Sequence, residues 1–164
     1  MSDPGTSGGT GTVGGLRRMA VGLDGSIHAQ RGLEWAAAVA AQTGAEVVAV
    51  HALGLLVDTE DGPMPSASQK ERLEGKLSGE WTALLRDAGV KHRCILAEGS
   101  PVSGLLHVAA EEDADLIVVG SRGSGGFSEL HLGSTSHQVV LYSDRPVLVV
   151  PPLGRVRPGI SPGS

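Results

Sequence analysis

Five short apolar runs recur along the chain: MAVGL (19–23), EVVAVHAL (46–53), VKHRCILA (90–97), ADLIVVG (114–120) and RPVLVVPP (145–152), with a helix-length segment between each pair. Side chains that are apolar at consecutive positions, rather than at every second one, predict strands buried on both faces. Such strands, joined by helices, make a parallel sheet, because each crossover must carry the chain back to the same end of the sheet. The expectation is an α/β three-layer sandwich built on a five-stranded parallel sheet. In folds of this class, ligands gather at the carboxyl ends of the strands, where the strand order reverses.

The intervening segments carry helical signals. From Ser26 to Gly44, the residues Leu33, Ala36, Ala37, Ala40 and Ala41 fall on one helical face, and Gly44 closes the helix. A polar loop with Gly62, Pro63 and Pro65 precedes a single helix expected over 66–87, stopped by Gly89. Ser100 caps a helix with Pro101 at its first position, its inward side chains being Val102, Leu105, Leu106, Ala109 and Ala110. A last helix begins after Ser134. With Trp35, Trp81, Phe127 and Tyr142 the only aromatic residues, Val, Leu, Ile and Ala must fill the core.

A chain of 164 residues, 40% of them hydrophobic, fits one domain. Its folded unit is expected over 18–152. Residues 1–17, rich in Gly, Ser and Thr, read as a flexible arm, and 153–164 as a flexible tail.

The formal net charge of −5 argues against a nucleic-acid partner, which would require a basic face. No apolar segment approaches the roughly 20 residues that span a bilayer, and no basic leader with an apolar core is present, so a cytoplasmic protein without a membrane partner is expected. Cys94, within CILA, reads as a small buried side chain. His28, His51, His92, His107 and His137 show no ligand spacing such as HExxH, so no metal site is expected, and His51 reads as a packed histidine.

The chemistry concentrates after the fourth run, in GSRGSGGFSELHLGSTS (120–136). Gly120, two residues, Gly123, nine residues, then Gly133 and Ser134 lead into the last helix. Glycines let main-chain amides approach an anion closely, and a helix start adds unpaired N–H donors with a partial positive charge of about half a unit. The pattern suits a polyphosphate cradle; turn-forming glycines without a ligand are the alternative. GTGTVG (9–14) matches GxGxxG, but it precedes a strand and opens no helix, so it is set aside. No GxxxxGK[ST] occurs. In VGLDGS, at the end of the first run, Asp24 suits a ribose hydroxyl, an exocyclic amine or a divalent ion; capping the next helix together with Ser26 is the alternative.

VGLDGS after the first strand, VHA at the end of the second, DLIVVGSRG, the glycine spacing and PVLVV together resemble the universal stress protein family from Met19 to Pro152. The resemblance implies strand order 3-2-1-4-5, the adenine nucleotide α-hydrolase-like arrangement, and ATP as ligand with magnesium or manganese. It further implies that Gly22 and Asp24 border the adenosine and that the backbone at Ala52 meets the base. Gly120, Gly123, Gly133, Ser134 and Thr135 would hold ribose and phosphates. A homodimer through the last strand, Val147, Leu148, Val149 and Val150, is implied as well. Arg122 and His131 are candidate phosphate contacts by charge.

The function expected is an ATP-binding stress-response regulatory module whose nucleotide occupancy changes its state or partners; no catalytic residue is assigned. Three alternatives are a slow ATP hydrolase or self-phosphorylating protein using Ser121, Ser124, Ser128, Ser134 or Ser136, a scaffold that binds no nucleotide, and a cyclic AMP binder.

Overall fold

The computed structural model describes residues 15–54, 58–59, 62–63, 66–122 and 132–154. Gly123, Ser124, Phe127, Ser128, His131, the decoy at 9–14 and nearly all of the expected arm and tail lie outside the described residues.

In chain order the elements are β1 (Arg18–Gly22), α1 (Ile27–Thr43), β2 (Glu46–Ala52), β3 (Asp58–Thr59), β4 (Gly62–Pro63), α2 (Ala67–Ser78), α3 (Ala83–Asp87), β5 (His92–Ala97), α4 (Pro101–Glu111), β6 (Leu116–Gly120), α5 (Ser134–Tyr142) and β7 (Val147–Val150). The main sheet has the order β5-β2-β1-β6-β7 and is parallel throughout, which is 3-2-1-4-5 when its own strands are counted. Where a polar loop was expected, β3 and β4 pair antiparallel, Asp58 opposite Pro63 and Thr59 opposite Gly62.

The sheet is covered on both faces. Met19, Val21, Val47, Ala49 and Val118 pack against Leu33, Ala36 and Ala40 of α1, Leu77 of α2 and Leu85 of α3. The alternate residues Ala20, Val48, Val50, Ile117 and Val119 meet Leu105, Val108 and Ala109 of α4 and Val139 of α5. The two sets alternate along each strand, as the period of two requires, so consecutive apolar residues serve two cores.

The helix starts follow local chemistry. Ser26 and Ser100 accept from the amides of Ala29 and Ser103, and Ser66 forms a capping box with Gln69. Gly44 ends α1 in the left-handed region, at φ 75°.

The helix expected over 66–87 is broken between Gly79 and Thr82. The buried Thr82 hydroxyl donates to Leu77 O at 2.7 Å, taking the carbonyl that a continuing helix would offer to residue 81. Trp81 N reaches Lys76 O instead, and the Arg86 guanidinium donates to Ser78 O and Gly79 O. These side chains satisfy the carbonyls that end α2, so the chain can turn there without orphaned acceptors.

At the amino ends of the strands, Glu46 is buried between two arginines. Its Oε2 accepts from Arg18 Nε at 3.0 Å and its Oε1 from Arg93 Nε at 2.7 Å, while Arg93 also pairs with Glu112, which caps the carboxyl end of α4. Asp115 Oδ2 accepts from the amides of Arg17 and Arg18 at 2.8 and 3.0 Å, and Leu16 packs against the core, so the chain is held before β1 begins. The opposite end of the sheet is left for the glycine-bearing turns.

Candidate functional site

The chain leaves β1 toward β2 on one side and reaches β6 on the other, so the order reverses between β1 and β6. Gly22 and Gly120 stand at the carboxyl ends of these two strands. Both are shaped by close packing. A Cβ on Gly22 would lie 3.1 Å from Leu105 Cδ2 of α4, and one on Gly120 would lie 2.3 Å from His28 O in the first turn of α1. Gly120 is therefore demanded by the approach of α1, whatever else it touches.

Beyond β1, Leu23 N continues the ladder to Val50 O at 2.8 Å. Asp24, half-buried, follows in the turn, and its Oδ1 accepts from Ser26 N at 2.9 Å. The cap of α1 is Ser26, and Asp24 braces that cap from outside the helix. In β2, Glu46 N bonds Arg17 O and Val50 O accepts from Leu23 N, so the even-numbered residues turn their main chain toward β1. By the same alternation Ala52 presents its main-chain groups to that side, past the last of these bonds.

Beyond β6, Ser121 N donates to Val150 O at 2.9 Å, and Ser121 O accepts from Gly133 N at 2.6 Å. The Ser136 hydroxyl donates to Gly120 O, also at 2.6 Å. These two bonds stitch the start of α5 to the end of β6, across the segment between them. They also spend the Gly133 amide internally. The donors at the helix start that no described residue engages are the amides of Ser134, Thr135 and Ser136, since Gly133 caps α5 without a side chain. The Ser121 hydroxyl is buried and has no hydrogen-bond partner among the described residues. Arg122 follows, half-buried.

The described structure thus brings Gly22, Asp24, Ala52, Gly120, Ser134 and Thr135 to one edge of the sheet. What sequence reasoning missed there is Trp81, which the break after α2 turns toward the Asp24 turn. A Cβ on Gly25 would lie 2.7 Å from Trp81 Cζ2, and His51 meets the same indole edge-on. The one available signal was Gly79, standing two residues before Trp81 inside a helical pattern.

Elsewhere, Cys94 is half-buried near Leu77 O and the Thr82 hydroxyl. Among the described residues no group of three or more His, Cys, Asp or Glu side chains is placed to hold a metal ion, and no helix is long and apolar enough to cross a membrane. β7 pairs with β6 along one side, and no described strand covers its other side. Val140, Leu141 and Tyr142 of the neighbouring α5 are exposed.

A profile of the Universal stress protein family matches residues 15–151. A Thermus aquaticus protein, the universal stress protein in the QAH/OAS sulfhydrylase 3′ region, is 35% identical over 135 residues, covering 82% of this chain and 98% of its own. Universal stress protein YxiE of Bacillus subtilis is 33% identical over 146 residues, 82% of this chain and 99% of its own. Among solved structures, a universal stress protein in complex with cAMP superposes with a TM-score of 0.64 at 28% identity, over 82% of this chain and 96% of that one.

Proposed function

The chain belongs to the universal stress protein family, and on that premise we propose that it is an adenine-nucleotide-binding regulatory module whose ligand is ATP, accompanied by magnesium or manganese. The observation that carries this reading is the start of α5. Three main-chain donors, Ser134, Thr135 and Ser136, open at the carboxyl end of β6, beside the point where strand order reverses. Helix starts of this kind favour phosphate through both the amides and the helix dipole. The buried Ser121 hydroxyl adds a polar group that a ribose or phosphate oxygen would satisfy. Across the edge, the Asp24 carboxylate suits the donors of a nucleoside and repels phosphate, which orients the ligand with its phosphates toward α5. A divalent ion would be carried by the phosphates rather than by a protein cage. Gly123, Arg122 and His131 are proposed to complete the phosphate side.

Titration calorimetry of dialysed protein with ATP, with and without magnesium or manganese, tests this. Micromolar affinity is expected, with a large loss in Gly133→Val, whose backbone at φ −64° accepts a side chain without strain. Wild-type protein that ignores every adenine nucleotide would overturn the reading.

Cyclic AMP is the second ligand to include, because a neighbour of like fold was solved with it. Preference for cAMP over ATP in the same titration would decide between the two. We propose also that two copies pair through the open edge of β7, Val147 to Val150, since an uncovered apolar edge is otherwise prone to aggregate.

A further inference from the structure

The turn that carries Asp24 is gripped on both sides by a pair of aromatic rings from outside the site. His51 Nδ1 lies 2.7 Å from Leu23 O; a carbonyl only accepts, so Nδ1 carries the proton and fixes the residue before Asp24. Trp81 presses on the residue after it. The Gly25 backbone, at φ +80°, lies so close that a Cβ would stand 2.7 Å from Cζ2 and 3.1 Å from Cε2 of the indole. The two rings brace each other, with centroids 5.1 Å apart at 76°. Asp24 is thus bracketed, with its neighbours Leu23 and Gly25 each in contact with one member of the pair.

Trp81 reaches that position because α2 stops early. The Thr82 hydroxyl on Leu77 O and the Arg86 guanidinium on Ser78 O and Gly79 O hold the link between α2 and α3 in the conformation that points the indole at Gly25. A continuing helix would not give residue 81 this turn. The contact therefore joins the link between α2 and α3 to the carboxyl edge of β1.

We infer that Trp81 is a positioning residue for the nucleoside: through Gly25 and His51 it sets where Asp24 presents its carboxylate, and it carries occupancy of that edge to the link between α2 and α3. The inference rests on the nucleotide reading above. It assigns to Trp81 the nucleoside half of the ligand and no part of the phosphate half, which lies with α5 on the other face of the sheet. A purely structural indole would affect stability and leave ligand selectivity alone.

Trp35 is exposed and is the second of the two tryptophans, so Trp35→Phe leaves Trp81 as the single indole reporter. In that protein, adenosine and ATP are expected to shift or quench the emission, and inorganic tripolyphosphate to leave it unchanged. In Trp81→Phe, the Kd for both adenosine and ATP should rise about tenfold while that for tripolyphosphate holds, because a displaced carboxylate weakens only the contacts it makes. ATP binding to wild-type protein with unchanged emission and equal affinities in Trp81→Phe would overturn the inference and leave the nucleotide reading standing. Wild-type protein that binds no adenine compound would remove both. Should Trp81→Phe fail to fold, the emission of the Trp35→Phe protein decides alone.

Discussion

The Ser136 hydroxyl donates to the main-chain oxygen of Gly120 at 2.6 Å, and both partners are buried. This bond fixes where α5 begins relative to the end of β6, and hence where the amides of Ser134 and Thr135 open. Ser136→Ala removes the donor and leaves a buried carbonyl unsatisfied, at a cost of about 1–2 kcal/mol. The urea midpoint should fall accordingly, and ATP affinity should weaken severalfold. An unchanged midpoint would mean that the stitch does not hold the helix start.

Gly120 and Gly75 predict opposite responses to the same substitution. In Gly120→Ala the new methyl would lie 2.3 Å from His28 O, a main-chain atom that no rotamer can move, so the first turn of α1 must shift. The expected loss is about 1–3 kcal/mol. Gly75 is exposed within α2 and a Cβ there meets nothing within 4 Å, so Gly75→Ala should stabilise by about 0.5–1 kcal/mol. Thermal melts of the two variants side by side check the sign of each.

The layers and strand order were legible because they depend on composition over whole segments. Runs such as EVVAVHAL serve two cores at once, and only a doubly covered parallel sheet offers that. Element ends were less legible, because they depend on single side chains reaching across the fold. ADLIVVG was expected to be strand from 114, yet β6 begins at Leu116, where Asp115 turns its carboxylate to the amides of Arg17 and Arg18. The break at Gly79 depends on Thr82 and Arg86 satisfying carbonyls, which apolar periodicity does not register. At the site, spacing located the glycines without separating their duties. Gly120 answers to α1, and Gly133 gives its amide to Ser121, so the open donors are one, two and three residues further on.

The ion network at the opposite end of the sheet predicts an acid-dependent stability. Arg93, and then Arg18, hydrogen-bond Glu46 and hold its carboxyl below the ordinary value of 4.5, against the opposing effect of burial. A carboxylate with a lowered folded pKa stabilises the fold above its unfolded pKa, and that contribution is lost as pH falls through the folded value. Glu46→Gln should therefore cost about 2 kcal/mol near neutral pH, a modest figure because both guanidiniums reach solvent. The difference from wild type should shrink below pH 4.5 and vanish once Glu46 is protonated in both states. Urea titrations at a series of pH values measure it; a gap that persists in acid would assign the effect to packing.

The outer edge of β7 can be tested without disturbing the sheet. Pro146 O accepts from Ile117 N and Val150 O from Ser121 N, so even-numbered residues of β7 bond to β6. Val147 and Val149 therefore turn their amides outward, the direction in which a second copy would pair. Val149→Pro deletes one outward N–H and keeps every bond to β6, since proline is tolerated on a strand edge whose N–H faces away from the sheet. The variant should retain the circular dichroism of the wild type and run as a monomer in light scattering, where the wild type is expected to be a dimer. A Val149→Pro protein that remained dimeric would put the interface on another surface, with the exposed Val140, Leu141 and Tyr142 of α5 the next residues to replace.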